Sequence, residues 1–178
     1  LYMMSAATEI RPERYAALFD TVYVSLYKYL DAPFGAILAG TSEFTSDLYH
    51  DRRTFGASLA TGGYLAAAVA LNAIEGFEER FAAAMKKGVE LLVGLNDLEG
   101  ISVGRYEHGS NIFPVALDAA IDADAFIEAL HADWVFVYPT EDDPDEIRFT
   151  INTTILRQSN DQLVAAFAKA LVRSRGIA

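Results

Sequence analysis

The stretch from Phe19 to Gly40 constrains the fold more than any other part of this sequence. Val22, Val24 and Leu26 alternate as on a strand, the alternation stops at Lys28, and Gly35-Ala-Ile-Leu-Ala-Gly40 reads as a second short strand. Lys28 is therefore expected at the mouth between two buried strands. A lone amine there needs a partner or a reactive role, because burial depresses its pKa and raises the neutral, nucleophilic fraction. A neutral amine is what condensation with a carbonyl requires.

A core large enough to bury such strands is affordable in 178 residues of which 52% are hydrophobic, as one domain or a pair of small lobes. The net charge of −11 argues against a nucleic-acid or anionic-membrane partner, since phosphates call for clustered lysine and arginine that the chain lacks. With no cysteine there is neither a disulfide framework nor a thiolate metal site, which fits a cytoplasmic protein. The apolar run from Gly62 to Ala73 is interrupted by Asn72 and followed by Glu75, so it falls short of a membrane span. No signal peptide is read at its start.

The pattern Asp-x-Val-x-x-Ser-Leu-x-Lys-x-Leu-x-Ala-Pro-x-Gly-x-x-Leu-Ala-Gly, from Asp20 to Gly40, resembles the lysine segment of threonine aldolases and related beta-eliminating lyases. These are pyridoxal 5'-phosphate (PLP) enzymes of the aspartate aminotransferase fold. The resemblance implies that Lys28 carries the cofactor covalently. It also implies an α/β chain that is the C-terminal portion of a PLP-dependent transferase fold: residues 1–85 as a remnant of the cofactor-binding large domain with its linking helix, and residues 86–178 as the small α+β domain. The opening Leu-Tyr-Met-Met supports this expectation, because the family motif Asp-Gly-Ala-Arg, which holds the pyridine nitrogen and assists substrate binding, would directly precede Leu1.

Other candidate contacts follow from the same resemblance. Ser25 precedes Lys28 by three residues, a spacing at which related aminotransferases place a hydroxyl on the cofactor phosphate; a strand serine bonding to backbone is the alternative. Many threonine aldolases flank the lysine with serine and glycine, whereas this chain has Tyr27 and Tyr29. Where they carry a phosphate-binding arginine this chain has Ala60, and Ser58 and Thr61 are candidate substitutes.

The remaining pattern predicts helices over Glu9–Leu18, with Tyr15, Leu18 and Phe19 as the apolar side, over Glu43–Arg53 capped by Thr41 or Ser42, and over Leu65–Gly88, as one helix or two joined at Gly76. Beyond Leu91, strands are expected at Ile101–Tyr106, Asn111–Leu117, Trp134–Tyr138 and Ile147–Thr153. Helices are expected at Asp122–His131 and Ser159–Arg173, the latter burying Leu163, Val164, Phe167, Leu171 and Val172. On the strand beginning at Ile147, Arg148 matches the arginine that grips the substrate carboxylate in threonine aldolases. A planar guanidinium suits that task, the alternative being an ion pair with an acid between Glu141 and Glu146. His50, His108 and His131 show no metal-ligand spacing, so no metal is expected.

The resemblance thus implies a PLP-dependent lyase acting on a small amino acid, foremost by cleaving a β-hydroxy amino acid to glycine and an aldehyde, in a homodimer or homotetramer. Beta-elimination, transamination or racemisation by the same lysine, and a non-catalytic assembly homologue, stay open. The 178 residues alone are expected to be inactive, lacking the aspartate partner of the cofactor.

Overall fold

The structure, a computed structural model, describes residues 1–56 and 60–175; side chains 60 and 61 are outside the description. It separates into two compact units, Leu1 with Glu9–Glu79 and Tyr2–Thr8 with Arg80–Ala178.

The start of the chain differs from the single helix expected over Glu9–Leu18. Helix α1 (Tyr2–Thr8) closes at Glu9, whose φ of 58° is left-handed, and α2 covers only Pro12–Ala16. Pro12 occupies the first turn, where its missing N–H breaks no helical bond. Leu18 and Phe19 fall beyond α2 and are 74% and 66% exposed rather than buried.

Strands β1 (Val22–Ser25) and β2 (Ala36–Ala39) form an antiparallel pair with Val22 opposite Ala39 and Ser25 opposite Ala36. Between them the chain makes the four-residue helix α3 (Leu26–Tyr29), anchored where the Leu26 N–H donates to the Gly35 carbonyl at 3.0 Å. Gly35 has a φ of 98°, and a Cβ there would sit 3.7 Å from Ala66 and 3.8 Å from Leu26. Both strands lie within two residues of where the alternation put them. Their burial does not: all four β2 residues are exposed.

The helix expected over Glu43–Arg53 is two, α4 (Ser42–Ser46) and α5 (Leu48–Thr54), joined at Asp47. Thr41 caps α4 by accepting from the Phe44 N–H. The Thr45 and Ser46 hydroxyls then bond back to the carbonyls of Thr41 and Glu43, competing with the helical ladder where the break occurs. The longer helical stretch is also two, α6 (Ala60–Ile74) and α7 (Phe77–Asn96), parted at Gly76 with a φ of 64°. Phe77, Phe81 and Met85 are buried, as their spacing implies, whereas Leu71 and Ile74 are exposed. On α6 it is the small Ala66 and Ala70 that find cover.

The second unit is built on a four-stranded antiparallel sheet in the order β3-β4-β6-β5: β3 (Ile101–Val103), β4 (Ile112–Leu117), β5 (Tyr138–Pro139) and β6 (Glu146–Thr150). Phe113 and Val115 stand opposite Phe149 and Ile147, and all four are buried, so one face of the sheet supplies core. Helices α8 (Ala123–Ala132) and α9 (Asn160–Ser174) pack together and add Phe126 and Phe167, both fully buried. Phe167 meets Phe126 at 5.9 Å and Phe149 at 6.2 Å between ring centroids. Asp122 caps α8, and Ser159 with Gln162 forms a capping box on α9, as helix-start chemistry predicts.

The differences in this unit cluster at chain turns. Trp134 is left-handed, with a φ of 61°, so only the end of the expected Trp134–Tyr138 strand pairs with β6. The strand beginning near Ile147 stops at Thr150, and Asn152 caps a 3-10 turn over Thr153–Arg157 by accepting from the Thr154 N–H. Val172, read as part of the buried face of α9, is 76% exposed. The close approach of α7 to the sheet end requires a glycine: a Cβ on Gly88 would lie 2.5 to 2.8 Å from the side chain of Ile151.

Candidate functional site

Lys28 sits in α3, where one short helical turn replaces an extended connection between β1 and β2. It is exposed rather than buried, which corrects the expectation of a lysine between two covered strands. The physical reason is local: Leu26 and Leu30 turn inward at 5% and 4% exposure, which leaves the intervening Tyr27, Lys28 and Tyr29 facing out. The Lys28 Nζ lies 6.0 Å from the Tyr27 ring centroid. Among the described residues no hydrogen bond or ion pair engages it.

Ser25 behaves differently. It ends β1, is 6% exposed, and its Oγ is buried without a hydrogen-bond partner. The alternative of a serine bonding to backbone is therefore not what the structure has. A buried hydroxyl left unpaired costs about 1–3 kcal/mol. A phosphate oxygen would satisfy it, so this donor, three residues before Lys28, fits PLP. Ser58 lies outside the described residues, as does the side chain of Thr61, the second residue of α6.

Arg148 belongs to the other unit. On β6 the side chains alternate, Ile147 and Phe149 entering the core while Arg148 and Thr150 take the open face, opposite Pro114 on β4 and Tyr138 on β5. The alternative role for this arginine is an ion pair with an acid between Glu141 and Glu146. None forms among the described residues, whose ion pairs are Arg11–Glu13, His108–Glu107 and Lys169–Asp133. The acids before β6 are held in their own turn, Asp143 accepting from the Asp145 N–H and the Thr140 hydroxyl bonding to the Asp143 carbonyl.

One neighbour was not legible in the sequence. The Tyr106 hydroxyl donates to Glu146 at 3.4 Å, and desolvation followed by the Glu146 charge raises its pKa, with Arg148 acting in the opposite sense. Tyr106 carries no motif; only the pairing of β4 with β6 brings its loop to this face. Asn111 and Asn152 also lie near the strand end, and both have structural partners, the Ile151 carbonyl and the Thr154 N–H. The basic pair Arg52 and Arg53 stacks over Tyr49 at 5.6 and 5.7 Å. No cluster of three or more metal-ligating side chains occurs among the described residues, and no helix there is long and apolar enough to cross a membrane.

These positions can be set beside known proteins. A family model described as Beta-eliminating lyase matches residues 3–118, well over half the chain and including the whole Lys28 segment. A low-specificity L-threonine aldolase of Candida albicans is 33% identical over 75 residues, which are 42% of this chain and 20% of that protein. Among solved structures, a protein from Exiguobacterium sp. 255-15 assigned as an aromatic amino acid beta-eliminating lyase/threonine aldolase superposes with a TM-score of 0.72 at 22% identity, over 97% of this chain and 50% of that one. One from Listeria monocytogenes EGD-E, assigned as an L-allo-threonine aldolase, gives 0.69 at 22% over 96% and 50%. The ornithine aminotransferase of Toxoplasma gondii, at 18% identity, gives 0.60 over 87% and 37%. The chain thus spans about half the length of its first two structural relatives. By the extent of the family match the chain belongs to the beta-eliminating lyases, a PLP-dependent family, and its fold is that of the PLP-dependent transferases.

Proposed function

We propose that this chain is the Lys28- and Arg148-bearing portion of a PLP-dependent lyase that cleaves a β-hydroxy amino acid to glycine and an aldehyde. The observation that carries the reading is the Ser25–Lys28 pair: an unpartnered buried hydroxyl one helical turn before an unpaired lysine, inside the segment matched by the family. In the whole protein Lys28 would hold the cofactor through its Nζ and, once released by the substrate amine, take up or return a proton at that atom. Ser25 would donate to the phosphate. When bound, PLP supplies the electron sink that receives the pair left by the broken bond at the substrate α-carbon. Arg148 would take both oxygens of the substrate carboxylate and so fix which α-carbon bond is presented for cleavage.

On this reading residues 1–85 belong to a cofactor-binding large domain with its linking helix and residues 86–178 to a small α+β domain, in a cytoplasmic homodimer or homotetramer whose substrate is a small amino acid. A second reading, a non-catalytic assembly homologue, draws on Ala60 in the place of a phosphate arginine and on the tyrosines beside Lys28. Adding PLP to the longest natural polypeptide that contains this sequence, and recording its visible absorbance, separates the two. A cofactor band supports the lyase, and its absence supports the assembly module.

Ser25→Ala has a signature that distinguishes a phosphate contact from a packing role. Folding stability without cofactor is expected to stay level or rise by up to about 1 kcal/mol, since an unpaired buried hydroxyl is removed. Retention of PLP is expected to fall about tenfold, the worth of one hydrogen bond to a charged group. A loss of unfolding midpoint with unchanged cofactor affinity would reverse the assignment. For Arg148→Gln, kcat/KM for the amino acid is expected to drop about 10- to 150-fold through loss of charged hydrogen bonds, with PLP affinity unaltered. Equal kinetics in wild type and variant would remove Arg148 from the substrate site.

A further inference from the structure

The second unit contains a cavity of about 530 Å³ that none of Lys28, Ser25 or Arg148 lines. Its wall includes Trp134, Phe136 and Tyr138, which are 77%, 58% and 57% exposed, while the alternate residues Val135 and Val137 are buried. Behind the wall the His131 ring lies 5.2 Å from Phe136 and 5.8 Å from Tyr138, and its Nε2–H donates to the Val137 carbonyl at 2.9 Å. Trp134, Phe136 and Tyr138 thus line the cavity along a segment whose backbone His131 holds.

The conformation of Trp134 sharpens the point. Helix α8 ends in a complete Schellman arrangement: the Val135 N–H donates to the Leu130 carbonyl at 2.9 Å and the Trp134 N–H to the His131 carbonyl at 3.0 Å. The residue at Trp134's place must be left-handed, and its φ is 61°. Glycine is the ordinary occupant, and a bulky side chain there is strained. The chain places its single tryptophan at that position. A side chain retained against local backbone preference, and left 77% exposed, points to a use outside the fold.

Charge identifies what the cavity would take. Arg157 also lines it and has no ion pair among the described residues. The nearby acid Asp133 is already engaged, both of its carboxylate oxygens accepting from Lys169 at 2.7 Å. In a chain of net charge −11 the cavity therefore keeps an uncompensated cation beside an aromatic wall. We infer that the cavity lined by Trp134, Phe136, Tyr138 and Arg157 is a binding site for an aromatic carboxylate, the ring against the aromatic wall and the carboxylate on the Arg157 guanidinium.

Because Trp134 is the only tryptophan of the 178-residue chain, its fluorescence reports on occupancy. The probes are phenylacetate, its neutral counterpart phenylacetamide, and acetate, with calorimetry as a second readout. Phenylacetate is expected to shift the Trp134 emission saturably at millimolar concentrations or below, phenylacetamide to bind at least about tenfold more weakly, and acetate to leave the emission unchanged. Arg157→Gln should erase the difference between acid and amide. Trp134→Gly should weaken phenylacetate binding by calorimetry while raising the thermal midpoint, since glycine relieves the left-handed strain. Equal affinity for acid and amide in the wild type, no saturable response, or an acid preference that survives Arg157→Gln would each overturn the assignment. So would a lowered midpoint in Trp134→Gly, which would make the tryptophan a structural element.

Discussion

Replacing Lys28 with alanine is expected to eliminate covalent attachment of PLP and to lower amino-acid cleavage by about 10³-fold or more in the longest natural polypeptide carrying this sequence. Lys28 is the lysine of the Phe19–Gly40 segment, it lies one helical turn after Ser25, and no acid or carbonyl of the described residues holds its Nζ. Adding PLP, reducing with borohydride and mapping the peptides reads out attachment directly. The label is expected on the Lys28 peptide of the wild type and nowhere in Lys28→Ala. Circular dichroism of the variant should be unchanged, because the side chain is exposed and carries no packing. A label on another lysine, with cleavage intact in the variant, would move the reactive amine elsewhere.

Phe167→Ala is expected to destabilise the Arg80–Ala178 unit by about 3–5 kcal/mol, the cost of deleting a fully buried ring that the surroundings cannot refill. The ring contacts with Phe126, edge-on, and with Phe149, tilted, join α8, α9 and β6 in one cluster, so the cavity would open where all three elements meet. Val172→Ala on the same helix serves as control. That residue is 76% exposed, and its removal is expected to cost no more than about 0.5 kcal/mol. Denaturant midpoints followed by near-ultraviolet circular dichroism compare the two. Similar shifts for both variants would mean that α9 contributes no specific core and is held mainly by its caps.

The Phe167 and Val172 contrast shows how strictly periodicity must be read. Five positions set Val172 about 140° around α9 from Phe167, outside the stripe of Leu163, Phe167, Ala170 and Leu171 that is covered, so the helical period itself leaves it exposed. Burial in the first unit is a different matter. Alternation correctly placed β1 and β2, since side-chain period is a local property of the strand. It could not say that β2 would be exposed, because cover comes from other elements.

Local chemistry was legible wherever the deciding partner lay within a few residues. Thr41, Asp122 and Ser159 cap helices as their types and spacings require, Gly76 parts two helices, and the lysine segment named the family before any fold was known. Side chains that answer to distant partners were not legible. The unsatisfied Ser25 hydroxyl, the Tyr106–Glu146 contact beside Arg148, and the cavity lined by both the left-handed Trp134 and Arg157 exist only once strands pair and helices pack. Propensity, capping and motif are set by neighbours along the chain, so the sequence alone determined the helix caps, the β1 and β2 strands and the family. Burial, hydrogen-bond satisfaction and the meeting of charges are set by neighbours in space, so the tertiary structure decided which residues are free to bind.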